Sequence, residues 1–397
     1  MSAHFGPLAS DALLDEPARK VCKRIRMLAP RIARLAARLD RMAAGATSLS
    51  EARGLYALVF KERLHCARLE KSAGGLELAL QARALVLEEL ARADAGLAMA
   101  LAATWNAAAA LAALGSLAVR SGLLAACVTD RTGRWMLGSG MAEADRGSDA
   151  FNFVADRGLM TTIRRARGGF EISGAKVMVT NGGSAPAVII CAQASGQRGF
   201  AGRRYAVIDA TAKGFRRESI DKRGLRSSLN ARIVLDRVWV SRDRLLDRPP
   251  TGPASSAASL APSMVELSAL FVGSAQALLE CAQAHAESRS QAGLPLLRHP
   301  GFAARVAQCA SQVSSARALT WQAAALADLG DADLAFCAGA RAQAKAAAFA
   351  AATLAIDTLA SAGVERGSPL DRLLRNTETL AATVGAGDLL AWLPLTA

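Results

Sequence analysis

Along PRIARLAARLDRM, residues 30 to 42, Ile32, Leu35, Leu39 and Met42 fall on one face at helical spacing, with Arg31, Arg34, Arg38 and Arg41 beside them. Pro30 suits the start of that helix. Helical patterns with capping residues recur in SLSEARGLYALVFKE and in ALQARALVLEELARADAGLAMALA, so residues 1–133 are expected to form a helical domain. From Trp135 the period changes. FEISGAKVMVTNGG, AVIICAQA, RYAVIDAT and ARIVLDRVWV are short β-rich runs punctuated by glycine and charge. No helices intervene of the kind a parallel sheet needs, which makes residues 134–248 an antiparallel β domain. RPPTGPASSAASLAPS reads as a linker. Beyond it, alanine-rich helical patterns run to the end, so residues 249–397 supply the linker and a four-helix bundle. The expected fold class is mostly α with a central β domain.

One segment, Gly96 to Val119, is uncharged for long enough to span a bilayer. It is alanine-rich and carries Asn106 and Ser116, so it reads as a buried core helix, and no membrane partner is expected. Composition adds two facts. The chain of 397 residues is 52% hydrophobic, enough to bury a sizeable core, and its formal charge is +14. That charge points toward a polyanionic partner or a phosphate-bearing ligand, yet the basic residues form no block, so an arginine-rich surface explains it as well. The seven cysteines form no C-x-x-C pair and sit mostly in apolar helical context, as reduced thiols of a cytoplasmic protein would. Four histidines give no metal-binding spacing, and no metal site is expected.

Candidate chemistry begins at MAEADRGSDAFNF, residues 141 to 153, a carboxylate-rich turn directly after the apolar WMLGSG. Alone it is ordinary turn chemistry. Together with SGAKVMVTNGG, the KRGLRSSLN turn, RSQAG and the Arg375-Asn376 pair, in that order over nearly the whole chain, it resembles the acyl-CoA dehydrogenase family of flavoproteins. The resemblance implies an N-terminal helical domain, a middle β domain and a C-terminal four-helix bundle. It implies FAD as cofactor, an acyl-thioester substrate on coenzyme A or an acyl carrier protein, and a homodimer or homotetramer. By resemblance, Met141, Ala142, Gly147 and Ser148 face the flavin and the thioester. Met178 and Thr180 match the second flavin strand, with the hydroxyl toward flavin N5, and Arg289 matches an arginine that contacts the flavin diphosphate of a neighbouring subunit.

The departures bear on mechanism. Removing an α-proton while the flavin takes the β-hydride needs a carboxylate base. The family's usual glutamate falls at Val384, and its alternative position falls at Ser263; neither side chain accepts a proton. Glu266, one helical turn further on, is the remaining carboxylate, and an ordinary helix residue is an equal reading of it. Three readings stay open. One is a dehydrogenase using Glu266, handing electrons to an electron-transfer partner. Another is a flavin-dependent monooxygenase of the same fold that uses O2. The third is a non-catalytic or DNA-binding member; against DNA binding stand the absence of a C-terminal basic cluster and the low aromatic content, so nucleic acid is the disfavoured partner. Flavin absorbance and salt-dependent duplex binding separate them.

Overall fold

A computed structural model describes residues 14–42, 46–147, 158–197, 199–246 and 253–383. Helix α1 (Glu16–Asp40) starts at Asp15, whose carboxylate accepts the Ala18 amide. Pro30 therefore lies inside this helix and not at its start. It sits on the exposed face, where water can take up the carbonyl it leaves unpaired. Helix α2 (Ala46–Lys61) follows, then α3 (Leu80–Leu114), which is broken at Asp94, with φ −161° and ψ 111°. Asp94 ends one half-helix and caps the next by accepting the Leu97 amide at 2.8 Å. Short helices α4 (Leu117–Val119) and α5 (Ala125–Thr129) are joined by a π-helical turn. The uncharged segment from Gly96 is thus not one helix through Val119; it ends at Leu114, before Gly115.

The strands form one seven-stranded sheet. They are β1 (Gly138–Gly140), β2 (Thr162–Ala166), β3 (Gly169–Val179), β4 (Ala187–Ala194), β5 (Arg203–Asp209), β6 (Phe215–Ser219) and β7 (Ala231–Ser241). Their order is β1-β4-β2-β3-β7-β6, with β5 on the other edge of β4. Pairs β2–β3, β3–β7, β4–β5 and β6–β7 are antiparallel, and of these β2–β3 is closed by a tight turn. The sheet is nevertheless mixed, because β4 runs parallel to both β1 and β2. The β2–β3 hairpin carries the chain outward and back, and β4 then re-enters alongside its starting edge.

Helix α6 (Pro253–Ser288) begins within the stretch read as linker. A small hairpin, β8 (Ser290–Gln291) and β9 (Leu294–Pro295), leads to α7 (Pro300–Asp328), α8 (Leu334–Leu359) and α9 (Pro369–Ala381). Helical residues from both ends of the chain share one core, including Tyr56, Phe60 and Trp105 from the first part and Phe271, Leu278 and Ala344 from the last. Three helical stretches, 80–114, 260–288 and 334–363, are long and apolar enough to cross a membrane by composition alone. Here their apolar faces pack against one another.

Candidate active site

A buried lysine organises the sheet edge where the candidate turn lies. Lys176, on β3, is fully buried, and its ammonium donates to Glu143 Oε1 at 2.7 Å and to the Met141 carbonyl at 3.1 Å. The Glu143 carboxylate also accepts the amides of Met160, at 2.6 Å, and Thr161, at 2.9 Å. One side chain thus ties residue 143 to residues 160 and 161. Burial pushes the Glu143 carboxyl up, but the ammonium and these amides outweigh it and hold its pKa below the ordinary value. Burial likewise lowers the pKa of Lys176, against the pull of Glu143. Val177 donates its amide to the Ala142 carbonyl at 3.0 Å, so the Met141–Glu143 turn lies directly against β3.

The second candidate strand is irregular. The register of β3 on β7 shifts between Lys176, opposite Ile233, and Val179, opposite Ala231. Met178 lies in that bulge with φ 52° and has its side chain 49% exposed. Met178 has no partner in the β3–β7 register, and its carbonyl accepts the side-chain amide of Asn230 at 3.0 Å. Thr180 is half-buried, and Asn181 then pins the strand end to α3 by donating to the Ala100 carbonyl, and to the segment before β1 by donating to the Leu137 carbonyl, both at 2.8 Å. Met141 and Ala142 therefore lie against Lys176 and Val177, directly before Met178 and Thr180 along the chain, and the Met141 side chain packs toward Leu159 and Cys191. Gly147 is exposed beyond the turn. Ser148 and Val384 lie outside the described residues.

Arg289 lies elsewhere in the chain, exposed at the base of the β8–β9 hairpin, where its carbonyl accepts the Leu296 amide at 2.8 Å. The hairpin turns through Ala292 and Gly293, both with positive φ, and exposes Leu294. Glu266 is buried in α6. It accepts Arg83 Nε at 3.4 Å and Asn106 Nδ2 at 3.3 Å, and Asn106 in turn accepts Arg68. Both bonds to Glu266 are long, so neither oxygen is tightly held. Ser263 is half-buried one turn earlier. Arg375 and Asn376 do structural work. Arg375 pairs with Asp40 and Asp371, at 2.6 and 3.1 Å, while Asn376 accepts the Leu225 amide at 2.7 Å.

Sequence reasoning gave no role to Lys176, Asn181 or Asn230. A lysine flanked by apolar residues in a strand was the available signal for the first.

The helical domain, inserted sheet and bundle define an acyl-CoA dehydrogenase-type fold. It superimposes on the structure of butyryl-CoA dehydrogenase from Megasphaera elsdenii with TM-score 0.85, at 22% identity over 96% of this chain and 98% of that one. A structure described as PigA with FAD and proline matches at TM-score 0.83 and 23% identity, covering 96% of this chain and 98% of that one. Family models match in three successive pieces: acyl-CoA dehydrogenase N-terminal domain over residues 23–131, middle domain over 138–238 and C-terminal domain over 253–391. The chain belongs to the acyl-CoA dehydrogenase family. Its relatives include the cyclohex-1-ene-1-carbonyl-CoA dehydrogenase of Geobacter metallireducens, 27% identical over 320 residues, 80% of this chain and 82% of that one. The mitochondrial short-chain specific acyl-CoA dehydrogenase of Bos taurus is 29% identical over 251 residues, 63% of this chain and 59% of that one.

Proposed function

We propose that the protein is an FAD-dependent oxidoreductase that oxidises an acyl-thioester, carried by coenzyme A or by a carrier protein. The observation that carries this reading is the Met141–Glu143 turn laid against β3 by Lys176 and by the Val177–Ala142 hydrogen bond, immediately before the exposed bulge at Met178. This surface suits a flat aromatic ring. The bulge turns the Met178 thioether outward, and a polarizable sulfur packs well against an aromatic system. Met141, Ala142 and Thr180 would hold the ring system together with Met178. Arg289, presented outward on its hairpin, would meet the diphosphate held by a second copy of the chain, with its planar fork matched to phosphate oxygens. FAD supplies hydride acceptance when bound. Glu266 is assigned as the proton acceptor, a role that requires it to loosen from Arg83.

The test is anaerobic titration of FAD-loaded protein with a panel of acyl-CoA thioesters and of acyl carrier protein thioesters. Bleaching of the flavin by at least one thioester is expected, and Glu266→Gln should remove most of it with thioester binding retained. General-base loss of this kind typically lowers the rate about 10²–10⁴-fold. Bleaching that survives Glu266→Gln would remove Glu266 from the mechanism. Turnover that needs O2 and yields an oxygenated product would overturn the dehydrogenase reading, and absence of any flavin signal would overturn the enzyme reading.

A further inference from the structure

The connection between β6 and β7, residues 220–230, is long for a hairpin loop and joins four parts of the molecule. Within it, the Lys222 ammonium donates three hydrogen bonds: to the carbonyls of Leu225, at 2.8 Å, and Ser228, at 2.7 Å, and to Asn230 Oδ1, at 2.7 Å. Three hydrogens meet three acceptors, so the amine works as a clip that folds the loop onto itself. Outward, Leu229 accepts the Gly183 amide at 2.9 Å, and Ser227 accepts the Tyr56 hydroxyl at 2.6 Å. Arg226 donates to the Met42 carbonyl at 2.6 Å. Toward α9, Leu225 donates to Asn376 and the Arg223 carbonyl accepts Arg375 at 2.6 Å. Gly224 lies so close to α9 that a Cβ there would stand 2.1 Å from the Arg375 carbonyl oxygen. An open cavity of about 220 Å³, bordered by Leu39, Met42, Leu49 and Lys222, lies beside the loop, while Leu225 is buried in the main core.

From this loop a 3.0 Å hydrogen bond runs from Asn230 Nδ2 to the Met178 carbonyl. It meets Met178 where the β3–β7 register gives that residue no partner on β7. It also holds a non-glycine residue in the left-handed region, a conformation that costs about 1–2 kcal/mol. We infer that Asn230, oriented by Lys222, is a positioning residue for the cofactor. It fixes the Met178 carbonyl and so aims the Met178 side chain at the flavin. The inference rests on the flavin reading above and extends it to residues that do not touch the ring. The amide does two separable things: its oxygen takes the Lys222 hydrogen bond and its nitrogen holds Met178.

Asn230→Asp separates them. It keeps an acceptor for Lys222 and replaces the donor to Met178 with a second oxygen. The FAD dissociation constant should rise about tenfold, the effect of one lost hydrogen bond, and the visible flavin band should shift. In FAD-free protein, amide exchange across residues 177–180 should quicken while exchange in α9 and the apo melting temperature stay at wild-type values. Lys222→Met, which frees Asn230 by another route, should weaken FAD in the same direction. FAD affinity within about twofold of wild type, with unchanged exchange at 177–180, would overturn the inference. So would exchange that quickens equally in α9, since that pattern belongs to general loosening of the loop. If wild-type protein takes up no FAD, the functional reading fails on its own, and the exchange comparison in the apo protein still decides whether Asn230 sets the Met178 turn.

Discussion

Removing the Lys176 ammonium should cost far more than removing a surface charge, and the cost should shrink when Glu143 is neutralised as well. Both side chains are buried, at 0% and 3% exposure, and their contact is 2.7 Å. Breaking such a pair from one side leaves an uncompensated charge and costs about 3–5 kcal/mol. Lys176→Met leaves the Glu143 carboxylate with the Met160 and Thr161 amides as donors, which places it at the lower end of that range. Glu143→Gln keeps one amide oxygen as acceptor but takes the counter-charge from a buried ammonium and turns its NH2 toward a backbone N–H, donor against donor, which places it at the upper end. The double variant removes both charges and keeps a carbonyl for one of the two amides, so its loss should be no larger than that of the worse single change. Chemical denaturation of the apo proteins at pH 7 measures all four corners of the cycle. The pH profile adds an independent check. Because the Glu143 pKa is depressed in the folded state, its contribution is present above the ordinary carboxyl pKa of about 4.3 and is lost as pH falls through the folded value. Without Lys176, burial dominates and the acid transition should move toward neutral pH. Single-variant losses that add to within about 0.5 kcal/mol would refute the pairing argument, since additivity marks independent sites.

Two further outcomes follow from the packing. His65 is fully buried and stacked on Phe60 at 3.9 Å; burial first, and then the Arg131 cation, lower its pKa to about 4. Its stabilisation is therefore complete above the unfolded value of about 6.5 and lost as pH falls toward 4, up to about 3 kcal/mol, and His65→Phe should flatten that arm of the stability curve; an unchanged arm would contradict this. Gly224→Ala should destabilise the protein by about 2 kcal/mol or more, because the Arg375 carbonyl it would strike is backbone in α9 and cannot step aside; a wild-type unfolding midpoint would refute the close approach.

Periodicity located the helices and strands well because each element buries one face. The alanine-rich runs gave α6, α7 and α8, and the β-branched runs gave β3, β4, β5 and β7. It missed features that depend on partners distant in sequence. Pro30 sits inside α1 because its face is exposed, a fact absent from the local pattern. The parallel pairing of β4 with β1 and β2 depends on where a hairpin returns. The Met141–Glu143 turn and the strand β3 were legible through motif order, and the structure joins them at Lys176 and Val177. Lys176 and Asn230 carried no such mark, since a buried lysine and a loop asparagine acquire their roles from carbonyls supplied by other segments. Glu266 was legible as a helical carboxylate near Ser263, while its burial and its ties to Arg83 and Asn106 were not.

The shared helical core has a consequence for how the chain comes into being. Its residues come from α1–α3 at one end and α6–α9 at the other, with the whole sheet between them. During synthesis the amino-terminal helices emerge first, and α3, with its long apolar surface, waits for partners more than 150 residues later, which is about 8–30 s at ordinary elongation rates. The sheet can form in the interval, but the helices cannot finish burying their faces. A nascent chain halted after β7 should therefore depend on chaperones and aggregate when they are absent, whereas the completed chain should not.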